Sequence, residues 1–556
     1  MNLHVQVKHL KSFKDPVLTK VISYHSDENF VDVSADKFSK PQLDKLFAEA
    51  KKVNEKWARG LVQRITAYRN IHAAPTGKNI RTLEILAEAL KAYVADSPNK
   101  WVFRDEDDGY AVPYYVTSIK YMKATQHRQA NVEMTVVAMN RGTEDKKDIR
   151  FFRNDVGKTV IEILQAKKHY LETTAAVQTY LGHIELYKKY STLTGVQFSA
   201  TGTGYGQGDS YSSFYTQTAM ERDGVPASVV MDDIDDSEGT GYGEDDATCS
   251  NVFWAGKDED DDEDDVNPEG HDDDHVDSTI IVKPVRPYVR VFDLRAHGYV
   301  LVHVNNLTPY VYDKDAAGKL VLDQDMKDLV TILVQGSNEI LEDIVRGKTG
   351  GTIVIATGPP GTGKTLTAEV FAEEIERPLY VVQCSQLGTD EEKVEKELAK
   401  VLARASRWKA ILLIDEADVY VHTRGSDLQQ NAIVGVFLRV LEHYRGILFL
   451  TSNRDTVIDD AIMSRATAWL RYKMPTPRQL LTLWNVLSTQ YKVPMSQATI
   501  DVLTKKFPTV SGRNVKNMLK LATMLLRQKG RQPNVDLFAF VARFLDLGDV
   551  DGKVGR

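Results

Sequence analysis

Apolar positions recur at helical spacing early in the chain. In "KPQLDKLFAEAKKVNEKWARGLVQRITAYRNI", Leu43, Leu46, Phe47, Ala50, Val53, Trp57, Leu61 and Ile65 fall three and four residues apart, one helix stripe. The other face carries Lys51, Lys52, Lys56, Arg59, Arg64 and Arg69. A solvated face accounts for them, with a nucleic-acid-binding stripe as the alternative. "RTLEILAEALKAYV" predicts a second helix, and two further helical patterns lie between Lys158 and Leu193. "YYVTSIKYM", "VEMTVVAMN" and "DIRFF" are β-rich runs between turn residues and predict a small sheet. "TGTGYGQGDSYSS", 201–213, reads as irregular, and "VPASVVMDD" offers one more strand. Later, "STIIVKPVRPYVRVFDLRAHGYVLVHVNNLTPYVYD" alternates short β-branched and aromatic segments with Pro, Gly and Asn, predicting a small sheet or hairpin. "DMKDLVTILVQGSNEILEDIV" is helical. Three strand-sized apolar runs follow in "TIVIAT", "AILLID" and "GILFLTS".

Charge divides this pattern. The chain has 556 residues and a formal net charge of −8, a length that suits about three or four domains. Between Met231 and Asp277 stand 21 Asp and Glu against one Lys, so that segment carries −20 and the remainder +12. Its few apolar residues cannot offset the entropy of ordering it, so it reads as a disordered acidic linker. "DEDDDEDDVNPE" places Glu269 twelfth, as a calcium loop would, but its sixth residue is Glu263 rather than Gly and no helix pattern flanks it. His271 and His275 beside Asp272 to Asp274 could bind a metal loosely, but the same biased composition explains them. The segment also suits a mimic of nucleic acid or a tether for a basic partner, and the basic remainder admits nucleic acid as a partner. The only cysteines, Cys249 and Cys384, are far apart, which argues against a disulfide framework and for a reducing compartment. Neither a signal-peptide pattern nor an apolar run of membrane-spanning length is present. The expectation is a soluble cytoplasmic or nuclear protein, with no membrane partner.

Candidate chemistry begins where "TIVIAT" ends. Gly358, Pro359, Pro360, Gly361, Thr362, Gly363, Lys364 and Thr365 fit G-x-x-x-x-G-K-[ST] in full, and Leu366 follows in "TLTAEVFAEEI", a helical pattern. Glycines let backbone N–H groups turn inward around phosphate oxygens, and the helix start adds its positive dipole end. Lys364 would reach the terminal phosphates and Thr365 would ligate magnesium. "AILLIDEAD" ends in Asp415-Glu416, carrying two carboxylates to the sheet edge. Asp415 would hold magnesium through water, and Glu416 would act as general base on the attacking water. "GILFLTSN" ends at Asn453, a polar tip able to orient that water, or a strand cap. Arg465, after a short helix, could reach a neighbouring subunit's terminal phosphate. Arg513, in the first turn of "SGRNVKNMLKLA", could contact phosphates of its own subunit. A surface salt bridge is the alternative for each arginine.

In order, "GPPGTGKT", "ILLIDEAD", "LTSN", "SR" and "SGR" resemble the AAA family of ring-forming ATPases, over roughly Gly336 to Leu547. "RPLYVVQCSQLGTDEEKVEKEL", "LEHYRGILFLTSNRDTVIDDAI" and "RVFDLRAHGYVLVHVNNLTPYVYD" resemble a branch common in fungi and also found in bacteria and viruses. The resemblance implies an α/β fold: a phosphate-loop parallel sheet sandwiched by helices, with a carboxy-terminal helical lid. A mixed α/β amino-terminal domain and the acidic linker precede it. The boundaries expected are 1–229 for the amino-terminal domain, 230–277 for the linker and 278–335 for a small β-rich subdomain. The large ATPase subdomain follows at 336–475, the lid at 476–550 and a tail at 551–556. The resemblance also implies ATP and magnesium as cofactors and a homo-oligomeric ring, a hexamer, with ATP between subunits. It carries the same roles for Lys364, Asp415, Glu416, Asn453, Arg465 and Arg513.

Two departures stand out. Only Gly388, Thr389 and Asp390 separate "QL" from the next helix, so the aromatic pore loop of threading members is missing. The double-Arg pattern is also missing, which leaves Arg454 and Arg471 as further candidates for an arginine finger. The leading expectation is an ATPase that remodels a protein or assembly bound through the amino-terminal domain. A nucleic-acid motor or loader and a nucleotide-switched scaffold in viral or antiviral biology are the alternatives. No H-E-x-x-H occurs, so a fused zinc protease is excluded.

Overall fold

The computed structural model describes residues 2–13, 15–24, 29–53, 57–58, 61–62, 64–66, 68, 79–126, 128–206, 216–232, 283–336, 351–388, 391–421, 428–442, 444–453, 458–529 and 533–547. The acidic segment from 233 on, Thr389, Asp390, Arg454 and the 551–556 tail lie outside them. The chain divides into two units.

The first unit takes Met1–Thr192, Thr240–Tyr288 and His303–Asn305. Strands β1 (Asn2–Gln6) and β2 (Phe30–Ser34) pair antiparallel, ahead of helix α1 (Lys40–Lys51). Gln42 Oε1 accepts the Ser39 amide at 2.7 Å and fixes the start of α1. The long stripe read from the sequence is not one helix, because α1 stops at Lys51. Ala58, Leu61 and Ile65 nevertheless join Leu43 and Leu46 in a single core. Helix α2 (Leu83–Ala95) is capped by the Thr82 hydroxyl, which accepts the Ile85 amide at 3.3 Å. A second antiparallel sheet follows, made of β3 (Trp101–Asp105), β4 (Ala111–Met122), β5 (Asn131–Asn140), β6 (Thr143–Phe152) and β7 (His169–Leu171). Its order is β6-β5-β4-β3-β7, and helix α3 (Thr174–Ser191) comes next. Strands β3 and β7 were not read from the sequence.

The second unit takes Leu193–Gly239, Val289–Val302 and Asn306–Arg556. Its first sheet contains β8 (Gln197–Ala200), β9 (Thr203–Gly206), β10 (Thr216–Ala219), β11 (Glu221–Arg222), β12 (Val225–Met231), β13 (Tyr288–Asp293), β14 (Gly298–His303) and β15 (Leu307–Pro309). The order is β10-β9-β14-β13-β12-β8-β15, with β11 on β12. One sheet therefore joins strands that the sequence reading placed on either side of the acidic run. Thr203–Gly206, read as irregular, is a strand because Gly204 has no side chain to meet Val300 and Met220. Asp232, fully buried, pairs with Arg407 and accepts the Tyr299 hydroxyl at 2.8 Å.

Helix α4 (Gln324–Gly336) leads to the second sheet of this unit. Its strands are β16 (Thr352–Thr357), β17 (Leu379–Gln383), β18 (Ile411–Asp415), β19 (Ile447–Ser452) and β20 (Ala468–Arg471), parallel in the order β17-β18-β19-β16-β20. Helices α5 (Lys364–Glu374), α6 (Glu391–Arg407), α7 (Leu428–Leu441) and α8 (Asp460–Arg465) connect them. Burial on both faces explains the near-continuous apolar strands. Ile353 and Ile355 face a core shared with Leu398, Phe437, Phe292 and Trp408, whereas Val354 and Ala356 face one shared with Ala368 and Phe371. Helices α9 (Pro477–Gln490), α10 (Gln497–Lys506), α11 (Gly512–Lys529) and α12 (Val535–Arg543) form the lid around Trp484, Leu503, Met518 and Phe538. The parallel sheet between helix layers and the helical lid match the fold class read from the sequence.

Candidate active site

The parallel strands end together, and the chemistry collects at that edge. β16 runs into Gly358, whose φ of +139° and whose missing Cβ, which would stand 2.2 Å from the Tyr472 carbonyl, admit only glycine. The loop turns again at Gly361 and reaches α5 through Gly363. Lys364 is buried, at 7% exposure. Its ammonium donates to the Gly358 carbonyl at 2.7 Å, the Pro359 carbonyl at 3.0 Å and Asn453 Oδ1 at 3.0 Å. The loop thus curls around its own lysine, and Asn453 meets that cation from the end of β19. Thr362 Oγ1 braces the turn by donating to the Pro359 carbonyl at 2.8 Å.

The two carboxylates are held differently. Thr365 Oγ1 donates to Asp415 Oδ1 at 3.1 Å, and the Thr451 hydroxyl donates to the same oxygen. Glu416 has a left-handed backbone, φ +55°, uncommon for a side chain of its size. Its amide donates to Thr451 Oγ1 at 3.0 Å, and its carbonyl accepts the Cys384 thiol at 3.0 Å. Burial, with Asp418, Asp415 and Glu416 nearby, pushes that thiol up to about 12, so Cys384 stays protonated and packs rather than reacts. The Glu416 side chain is left exposed at the rim.

These groups line a cavity of about 640 Å³, the size of small-ligand sites. Pro360, Gly361, Thr362, Gly363, Lys364, Thr365 and Leu366 form its floor, with Asp415, Glu416 and Asn453 beside them. Gly358 and Pro359 act through their carbonyls on Lys364. Arg513 lines the cavity from the start of α11, and its amide donates to the Gly361 carbonyl at 3.3 Å. Arg465 stands apart: its guanidinium donates to the Ala461 carbonyl at 3.1 Å and pairs with Glu442. Arg471 is on the cavity wall of its own subunit.

Several wall residues escaped the sequence reading. Leu320, Leu322 and Met326 line one side and Leu483, Val486 and Leu487 the lid side, giving apolar surfaces suited to a planar base. Nothing local separates them from ordinary core positions. Thr451 carried a signal, a hydroxyl inside the apolar run "ILFLTS".

Residues 354–472 match the family described as "ATPase family associated with various cellular activities (AAA)". "ATP-dependent zinc metalloprotease FtsH 2" of Methylacidiphilum infernorum is 28% identical over 244 residues, 40% of this chain and 36% of that protein. "ATPase family AAA domain-containing protein FIGL1" of Arabidopsis thaliana is 26% identical over 211 residues, 35% of this chain and 30% of that protein. A chain of the E. coli MS115-1 HORMA:CdnC:Trip13 complex superposes with a TM-score of 0.35 at 17% identity, over 42% of this chain and 92% of that one. The chain spans only about a third of the length of those two curated relatives. No described helix is long and apolar enough to cross a membrane. The matched segment, with its phosphate loop, paired carboxylates and polar strand tip, makes residues 354–472 a domain of the AAA ATPase family.

Proposed function

We propose that this chain binds ATP with magnesium in the cavity around Lys364 and hydrolyses it within a ring of identical subunits, a hexamer. The cycle remodels a protein or assembly held by the first unit. The observation that carries the reading is the bonded set Lys364–Asn453 and Thr365–Asp415–Thr451–Glu416 in one cavity. Thr365 and Asp415 are adjacent hard oxygen donors, the set that magnesium takes, and these two residues would hold it. The ion would neutralise phosphate charge. Glu416 would take the proton of the attacking water from the rim, and Asn453 would orient that water. Arg513 would contact phosphate from the lid of the same subunit. Arg465, half-buried on α8 and held among the described residues by Glu442 and its own helix, would reach the nucleotide of an adjoining subunit and offset transition-state charge there.

Electron microscopy of the Glu416→Gln protein with ATP tests this reading. A closed ring with nucleotide between subunits supports it, and a monomer that neither keeps nor cleaves ATP overturns it. Turnover measured with added protein and with added nucleic acid separates the cargo classes. Stimulation by DNA or RNA that salt abolishes would replace the protein cargo with the nucleic-acid alternative.

A further inference from the structure

Strand β16 has a neighbour on each side, and both end level with it. Ser452 of β19 and Arg471 of β20 are each in register with Thr357, the residue before the phosphate loop. The loop therefore rises between two polar strand ends. On one side Asn453, the residue after Ser452, meets Lys364 at 3.0 Å. On the other stands the Arg471 side chain, exposed and lining the same cavity.

Arg471 does not hang loosely there. Its guanidinium carbon lies 3.6 Å from the centroid of the Trp469 ring, a close cation–π stack. The indole is itself fixed, because Trp469 Nε1 donates to Thr357 Oγ1 at 2.9 Å, and Thr357 is fully buried. Strand pairing, ring and hydroxyl thus aim one planar cation from the strand adjoining the loop. No carboxylate pairs with it among the described residues. Lys364, Lys473, Arg513 and Lys516 line the same cavity, beside Asp323, Glu369, Asp415 and Glu416, so Arg471 adds one more cation to it. A guanidinium stacked on one face keeps its N–H fork free in the ring plane, the geometry that takes phosphate oxygens in pairs.

We propose that Arg471 binds the terminal phosphate of the nucleotide held in its own subunit, opposite Asn453, with Trp469 as the platform that positions it. This rests on the ATPase reading above. It gives Arg471 a role in its own subunit, distinct from an arginine finger acting across an interface.

The test is the affinity of the full chain for ATP and for ADP, read with fluorescent nucleotide analogues. Thermal melting confirms that each variant folds. Arg471→Gln weakens ATP binding about tenfold or more and leaves ADP within about twofold, as loss of one charged hydrogen-bonding partner requires. Trp469→Leu shifts ATP in the same direction by less, and Arg471→Lys falls between Gln and the parent. Equal weakening of ATP and ADP, or parental affinity for both, overturns the proposal. So does an Arg471→Gln protein that binds ATP normally, does not turn over, and regains turnover on mixing with Lys364→Ala chains, because the arginine would then act across the interface. A parent chain that binds no ATP sinks the ATPase reading itself.

Discussion

Thr451 and Glu416 share one hydrogen bond that sets where the residue proposed as base stands: the Glu416 amide donates to Thr451 Oγ1 at 3.0 Å. That hydroxyl in turn donates to Asp415, so one side chain spans the Asp415 carboxylate and the Glu416 backbone. Thr451→Val keeps the shape of the strand and removes both bonds. Turnover falls about 10- to 100-fold, as for a catalytic group displaced by less than about an ångström, and ATP affinity stays near parental. Thr451→Ser restores most of the rate. Steady-state kinetics beside nucleotide titration checks this, and an equal loss from Ser and Val would place the effect in packing instead.

Gly358 sits where no other residue fits. A Cβ would stand 2.2 Å from the Tyr472 carbonyl, which is backbone and cannot swing away. Gly358→Ala therefore displaces the loop from β20, costs about 2 kcal/mol or more of stability and removes nucleotide binding. Denaturant unfolding and ATP titration read the two effects separately.

Arg465→Ala leaves ATP binding intact and abolishes hydrolysis, because its side chain is outside its own cavity. Glu442→Gln removes its carboxylate partner and leaves it free to extend, so turnover does not fall in that variant. Normal turnover in Arg465→Ala would assign the charge to another arginine.

Asp232 is fully buried and bound by Arg407 and the Tyr299 hydroxyl. Asp232→Asn keeps the shape and removes the buried charge that faces Arg407, at a cost of about 3 kcal/mol. The antiparallel sheet and α6 meet at this pair, so unfolding followed by tryptophan fluorescence shifts while the residues around Lys364 are untouched.

Acid weakens the first unit. His303 is fully buried, stacked on Tyr110 with ring centroids 3.6 Å apart, and His183 stands edge-on at 4.8 Å. Loss of hydration, with His183 adding, pushes His303 down to about 3; loss of hydration pushes His169 down to about 4, Arg104 adding and a bond to the Lys167 carbonyl opposing. The unfolded chain takes up these protons near pH 6.5 and the folded one does not. Stability is therefore full above about 6.5 and is lost as pH falls from there toward 4. His303→Phe keeps a ring against Tyr110 and flattens the melting temperature against pH over that range. An unchanged slope would remove His303 as a source.

The ATPase half was legible because its constraints are local. A phosphate loop needs its glycines and lysine in consecutive positions, and doubly buried strands need unbroken apolar runs, so "TIVIATGPPGTGKT" and "AILLIDEAD" announce both. The apolar cavity walls at Leu320 and Leu483 were not legible, because an apolar residue facing a ligand reads like one facing a core. The antiparallel sheet was mis-grouped for a different reason. Its strands are short and its pairings join distant parts of the chain, as Leu307 opposite Ala200 does, which no local pattern records. The long stripe from Leu43 to Ile65 kept its burial but not its single helix, since periodicity reports which side is buried and not where the backbone turns.

β12 and β13 are adjacent strands, and the Asp232 amide donates to the Arg290 carbonyl at 3.2 Å. Two residues 58 apart in sequence thus touch through their backbones, and the sheet closes a loop over everything encoded between them. Chain added to or removed from the acidic run changes the entropy of closing that loop only logarithmically, so the register of β12 on β13 does not depend on its length.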